Sequence, residues 1–349
     1  MIYPITEESL NFAAAVLRTG GIAAFPTETV YGLGADAFNS RALAKIFKVK
    51  GRPRFDPLIV HIACPEALED VADLGALDLR AREHVSRLQA ECWPGPLTLV
   101  LPKRGSVPDL ATSGLATVAV RIPFHPAARE LIRLSTGALA APSANRFGCL
   151  SPTRAEHVAE QLGDRLEIIL DGGPATVGIE STVLDMTDTP RILRPGGLPR
   201  ERLEALLGPL PVSGKAPTPP PGEPGPPGEL RSSGELRSPG LLTSHYAPRT
   251  PLCLHKHGEM AALPYQDGAG YLFFSRRSAR DIRDGAVALE VLSEEGDTLE
   301  AAANLFEALH RLDRLGLRCL HAEAAPPEAL GEAINDRLRR AAARKKTRQ

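Results

Sequence analysis

Over the first 210 residues, short runs of β-branched and apolar residues alternate with longer stretches in which apolar residues recur every three or four positions. The runs predict strands at 21–25, 58–62, 97–101, 117–122, 138–141, 167–170, 181–185 and 191–193. The stretches predict helices at 7–19, 41–49, 81–92, 126–134, 154–162 and 199–207, the fifth opened by a capping box in Thr153 and Glu156. This order of elements gives an α/β unit built on a large sheet. A smaller alternation follows, with strands at 252–255, 271–274, 287–292 and 317–321, a helix at 299–315 and a closing helix from 327. Its buried-looking strands predict a compact, Rossmann-like parallel sheet.

Between the two lies 216–240, where thirteen of 25 residues are Pro or Gly. Such a segment cannot bury enough apolar surface to offset its ordering entropy, so it is expected to be a linker. Its tandem GELRS, at 228–232 and 234–238, is assigned no function. The expected division is 1–208, a linker at 209–249, and 250–345.

Composition narrows the function without choosing it. With 349 residues, 43% of them hydrophobic and 24% charged, the chain is no collagen, coiled coil or disordered tail. Lys and Arg number 41 against 42 Asp and Glu, so no chain-wide positive field holds nucleic acid, and any polyanion must be met by a local cluster. The five cysteines, Cys64, Cys92, Cys149, Cys253 and Cys319, are odd in number and form no CxxC, which argues against a disulfide framework or a structural zinc. The start has no basic n-region, and no stretch reaches the roughly 18 to 20 apolar residues of a membrane span. A soluble, cytoplasmic protein that does not engage membranes is expected.

No Walker A, GxGxxG, HExxH or GxSxG motif occurs. Four polar segments at strand ends stand out instead, where open α/β sheets bind ligands. FPTETVYGLGAD, from Phe25, offers two threonines, a glutamate and glycines, or simply a turn. KVKGRPRFDP, from Lys48, packs four cations into seven residues before the strand that holds His61; it faces either solvent or a polyanion such as a triphosphate. On 117–122, alternation puts Thr117, Ala119 and Arg121 on one face, and an inward arginine needs an anion, a ligand or a structural carboxylate. APSANRFG, from Ala141, with Ser151 and Thr153, places hydroxyls before a helix, which suits phosphate binding or plain capping. The tail from Gly331 carries seven Lys or Arg against two acids, as a solvated helix end or an RNA contact.

Taken together, PTETVYGLGADA, KGRPRFDPLIVH, TVAVRIP, APSANRFG, ESTVLD and RILRPG resemble the threonylcarbamoyl-AMP synthase (YrdC-like) family over about residues 10–200. SPGLLTSHYAP and the closing NDRL, Asn335 to Leu338, resemble its long, two-domain form. The resemblance implies a twisted mixed sheet with helices in the first unit. It also implies a reaction in which L-threonine, bicarbonate or CO2, and ATP with Mg2+ give threonylcarbamoyl-adenylate and pyrophosphate. A separate transferase system then carries the group to tRNA, which this chain meets only indirectly. By the same resemblance Lys50 and Arg52 are catalytic and hold the triphosphate; Asp56, Thr117, Ser143, Asn145, Ser151, Arg194, His245 and Tyr246 serve the nucleotide. Thr29, His61, Arg121, Ala141 and Ser181 form the threonine pocket, with Arg121 on the carboxylate, and His245 and Tyr246 close over the site as a lid. No protein-held metal is implied, Mg2+ arriving on the phosphates. Two other readings are a structured-RNA binding module and a carbamoyl-transfer enzyme. One methyl separates threonine from serine, worth about 1–3 kcal/mol, so some acceptance of serine is expected.

Overall fold

The computed structural model describes residues 1–211, 245–260, 266–279 and 288–343. Most of the expected linker, both GELRS copies, the first residue of the strand expected at 287–292 and the last six residues of the basic tail lie outside these.

The first unit runs β1 (Ile2–Pro4), α1 (Glu7–Arg18), β2 (Ala23–Phe25), β3 (Gly32–Asp36), α2 (Ser40–Lys50), β4 (Ile59–Ile62), the single turn α3 (Leu68–Val71), α4 (Leu79–Cys92) and β5 (Leu97–Pro102). It continues with the turn α5 (Asp109–Thr112), β6 (Thr117–Arg121), α6 (Pro126–Leu134), β7 (Ala138–Ala140), α7 (Ala155–Leu162), β8 (Ile169–Asp171), β9 (Thr182–Asp185), β10 (Arg191–Arg194) and α8 (Arg200–Leu207). Its strands form one twisted, mixed sheet in the order β1-β8-β2-β3-β7-β4-β6-β5-β9-β10. The second unit has β11 (Leu252–His255), β12 (Ala269–Ser275), β13 (Leu289–Ser293), α9 (Thr298–Arg314), β14 (Cys319–Glu323) and α10 (Gly331–Ala342). Its four strands are all parallel, in the order β11-β14-β12-β13. The expected fold class is the observed one.

Two differences have physical causes. No strand was expected at β3, which lies in the segment from Phe25 read as a ligand-binding stretch or a turn and carries two glycines, which strands disfavour. It forms because those glycines lie against the ring of Phe25 on β2; a Cβ at Gly34 would come within 2.8 Å of that ring. The capping box at Thr153 does not form, since the Thr153 N–H and hydroxyl both meet Nδ1 of His157, at 3.3 and 3.4 Å. A reciprocal box forms instead at the start of α1, between Thr6 and Ser9.

The two units share an apolar seam. Val30, Leu150, Ile179 and Tyr246 join Leu305, Phe306 and Leu309 of α9 in one cluster, and each fully buried Leu or Phe contributes about 1.5–3 kcal/mol. Gly178, at φ +73, lies so near α9 that a Cβ would stand 2.5 Å from the Ala303 backbone. Beside it His310 stacks on His157, ring centres 3.8 Å apart, and its Nε2 meets the Ser151 carbonyl at 3.1 Å. The second unit therefore packs directly on the loops that hold the candidate residues.

Candidate functional site

The polar segments converge because β3 clasps the loops on either side of it. Leu33 N–H donates to the Pro142 carbonyl and Ala144 N–H to the Tyr31 carbonyl, both at 2.8 Å, so the loops after β2 and β7 are laced together. β4 and β6 are parallel with His61 beside Arg121, which brings those two side chains to one strand end. α2 ends on Gly51 at φ 64, a left-handed cap that needs glycine and turns the chain so that Arg52 points inward. The resulting cavity is lined by Thr27, Thr29, Arg52, His61, Arg121, Ala141, Ser143, Glu180, Ser181, Arg194, His245 and Tyr246, among others. The space open to the centre of a water molecule is about 50 Å³, room for a few waters at the ~10–15 Å³ each requires.

One side of the cavity is cationic. Lys50 is buried and donates to the carbonyls of Ser143 and Asn145. Arg52 donates to the carbonyls of Asp56 and Pro57 and pairs with the Asp56 carboxylate at 2.8 Å. Burial, followed by the charge of Arg52, pulls the Lys50 ammonium well below its ordinary value. Burial also lowers Arg52, with Arg194 adding to the effect. His245 is lowered by burial and then by Arg52, Lys50 and Arg194, so its imidazole is neutral, and its Nδ1 has no partner. Buried cations that destabilise one another in this way are suited to a polyanion.

The other side is balanced. Arg121 donates to both carboxylate oxygens of Glu28 at 3.0 Å and to the Thr29 hydroxyl at 2.8 Å, while its Nε has no partner. The Phe124 N–H holds Glu28 from behind at 3.0 Å. His61 is drawn down to about 3 by burial and by the Arg121 charge, so it too is neutral. Ser181 shares a 2.7 Å hydrogen bond with Thr98, and its carbonyl accepts from Arg194 at 2.9 Å.

Several expected positions fall elsewhere. Lys50 and Asp56 lie behind the wall and do not line the cavity; Asp56 acts on Arg52. Asn145, also behind the wall, gives its amide N–H groups to the Arg146 and Cys149 carbonyls and leaves Oδ1 unpartnered. Ser151 is fully buried and donates 2.5 Å to Glu180. Thr117 opens β6, four residues and about 13 Å from Arg121 at ~3.3 Å per residue, and is not brought to the cavity. The anion for Arg121 is a structural carboxylate, Glu28. Of the four clustered cations, Lys48 and Arg54 are exposed whereas Lys50 and Arg52 are buried, so the run is no surface stripe for RNA. The basic tail is likewise not simply solvated, since Arg337 on α10 is sealed in the seam.

Residue reasoning missed Glu180. It lines the cavity, accepts from Ser151, and pairs with Arg337 of the second unit at 2.8 Å. Burial alone would raise its carboxyl, but Arg337, Arg194 and the Ser151 hydroxyl hold it below the usual range. The Arg337 guanidinium also sits 5.4 Å from the ring centre of Tyr246. The available signal was its place at the head of the ESTVLD segment, directly before Ser181.

Comparison with known proteins agrees with this arrangement. A family model described as telomere recombination (Sua5, YciO, YrdC) matches residues 15–196. Another, described as the threonylcarbamoyl-AMP synthase C-terminal domain, matches 198–343. The chain is 40% identical over 348 residues to the threonylcarbamoyl-AMP synthase of Pyrococcus abyssi, covering 97% of this chain and 95% of that one. It is 40% identical over 338 residues to the Bacillus subtilis enzyme of the same name, covering 95% and 92%. The crystal structure of P. abyssi Sua5 complexed with L-threonine superposes with a TM-score of 0.84 at 38% identity, covering 98% of this chain and 97% of that one.

Proposed function

Because the chain belongs to the threonylcarbamoyl-AMP synthase family and is an enzyme of the nucleotidyl-transfer type, we propose that its pocket takes L-threonine on the Arg121 side and ATP on the Lys50 and Arg52 side, with bicarbonate or CO2 between them. The expected domain division at 208 and 250 is kept as part of this reading, with action in the cytoplasm and product passed to a tRNA transferase. The observation that carries it is the gathering of Arg52 and Arg194 on the cavity lining, with Lys50 buried behind them, in one cavity with the Arg121–Glu28 pair and the hydroxyls of Thr29 and Ser181.

In this reading the threonine carboxylate meets the free Nε edge of Arg121, with Thr29, Ser181 and the Ala141 segment around it. The neutral His61 adds no second positive charge there. The amine attacks the carbon of CO2, or of bicarbonate with loss of hydroxide that leaves as water on taking up the amine's proton; an oxygen of the resulting N-carboxylate then attacks the α-phosphorus as pyrophosphate departs, so atoms balance without a covalent enzyme intermediate. Lys50, Arg52 and Arg194 stabilise charge on the leaving pyrophosphate, and Ser143 and Asn145 orient the phosphates. Lys50 must exchange its carbonyl partners for phosphate oxygens. Thr117 serves only if the nucleotide extends along β6, and His245 and Tyr246 cover the bound pair. The residues do not offer Mg2+ a cage. Glu28 and Glu180 are already held by arginines, and no three Cys, His, Asp or Glu donors converge among the described residues. No step is therefore assigned to that ion.

The test is pyrophosphate release from ATP and Mg2+ by purified protein, with L-threonine and bicarbonate omitted in turn. Release that requires both is expected. Release without either, or none in the complete mixture, overturns the reading.

A further inference from the structure

His245 stands in a shell of charges of one sign. Its ring lines the cavity with Arg52 and Arg194, while Lys50 at the end of α2 and Arg340 on α10 add their charges from two further sides. The carboxylates on the surrounding elements are already engaged. Asp56 is paired with Arg52, Asp336 with Arg337 and Arg340, and Glu180 with Arg337 and the Ser151 hydroxyl. The remaining neighbours are uncharged rings, Phe147 meeting the imidazole edge-on at 5.7 Å between centres and Tyr246 at 4.2 Å.

The imidazole is 5% exposed, and its Nδ1 is buried with no hydrogen-bond partner. A buried polar atom left in this way costs stability unless some state of the protein satisfies it. An imidazolium does not persist in the free protein, because four cations oppose the added proton and burial withholds the water that would solvate it. A polyanion in the cavity reverses the balance. An opposite charge within about 4–6 Å moves a pKa by about 1–3, and the phosphates of one nucleotide bring more than one such charge.

We propose that His245 binds a proton as the nucleotide phosphates enter the site and holds it until pyrophosphate leaves, so that this residue is a cation in the loaded enzyme only. This rests on the nucleotide placement given under the proposed function. The proton passes from solvent to a lone pair of the ring and returns to solvent as pyrophosphate departs, and no other bond changes. A permanent further cation would repel Lys50, Arg52 and Arg194 in the free protein. One that arrives with the anion avoids that repulsion and still stabilises the leaving group. The free ring has its pKa well below the ordinary value, so nucleotide affinity falls as pH rises through neutrality, by up to about tenfold per pH unit until the pKa of the loaded state is passed.

The test is calorimetry of MgATP binding to the full chain, with L-threonine and bicarbonate omitted so that no product forms. It is run in two buffers of different ionisation heat at about pH 7.5, where the terminal phosphate is already ionised. The parent chain should take up about half to one proton per nucleotide and His245→Gln close to none, the ligand's own protons being common to both. From about pH 7.5 to about pH 8.5 the parent should lose about three- to tenfold in affinity, and His245→Gln less than about twofold. Nitrogen NMR of the unmutated chain, labelled in histidine, covers a variant that does not fold: one imidazole should change from neutral to charged when MgATP is added at constant pH. No binding of MgATP by the parent overturns the nucleotide placement and this proposal with it. Binding with equal proton uptake in His245→Gln, or with no imidazole changing charge, overturns this proposal alone.

Discussion

Lys50 and Arg121 are both about 3% exposed, yet the protein holds them by different means. Arg121 is matched by a full countercharge, Glu28, and by the Thr29 hydroxyl. Lys50 has two backbone carbonyls for its ammonium, and among its charged neighbours the repulsion of Arg52 outweighs the attraction of Asp56. Breaking a buried ion pair strands a charge, whereas removing a repelled cation relieves one. The Arg121 side is accordingly a charge-matched piece of architecture, whereas the Lys50 side lacks a full countercharge of its own.

The sharpest way to break this contrast is Arg121→Met, which leaves Glu28 buried without a partner. Denaturant unfolding should show a loss of about 3–5 kcal/mol, and the double variant with Glu28→Gln should recover part of it. A single variant as stable as the parent would mean that the Arg121–Glu28 pair does not hold this part of the fold. Next in size, Lys50→Met should cut pyrophosphate release by about 10²- to 10³-fold while stability stays within about 1 kcal/mol. Two carbonyls lose a donor there, but a repelled charge goes with it. Comparable stability losses in the two methionine variants would erase the distinction.

Smallest per step is acidification. His61 has its folded pKa near 3, below the ordinary 6.5 of the unfolded chain. Between those values the unfolded chain binds the extra proton, so the contribution of His61 is complete above about pH 6.5 and is lost as pH falls toward 3. The slope is about 1.4 kcal/mol per pH unit. His61→Gln should flatten that part of the stability curve, and an unchanged slope would show that the imidazole is not sealed.

Strand-end placement made the pocket legible. His61, Arg121, Ser143 and Ser181 all lie where a strand stops or is about to start, and period-two alternation put Arg121 on the inner face. What was hidden depends on contacts between distant segments. Glu180 gains its place from Ser151 and from Arg337, 157 residues away, and β3 exists because the Phe25 ring accepts two glycines. The Thr153 box had the right letters, but a histidine four residues on offered its own bonds. Local pattern reports what a segment can do alone, and these three cases were decided by partners it does not contain.

The small volume of the cavity bears on every affinity that is measured for this chain. If the site must open to admit a nucleotide, the observed dissociation constant is the intrinsic one divided by the population of the open conformer. If about one molecule in a hundred is open, apparent affinity is about a hundredfold weaker than the contacts themselves provide. Tyr246 enters this ratio through its backbone, since it holds φ 60 while its ring is buried. A left-handed non-glycine costs roughly 1–2 kcal/mol, and any opening that releases that strain shifts the population toward the competent form.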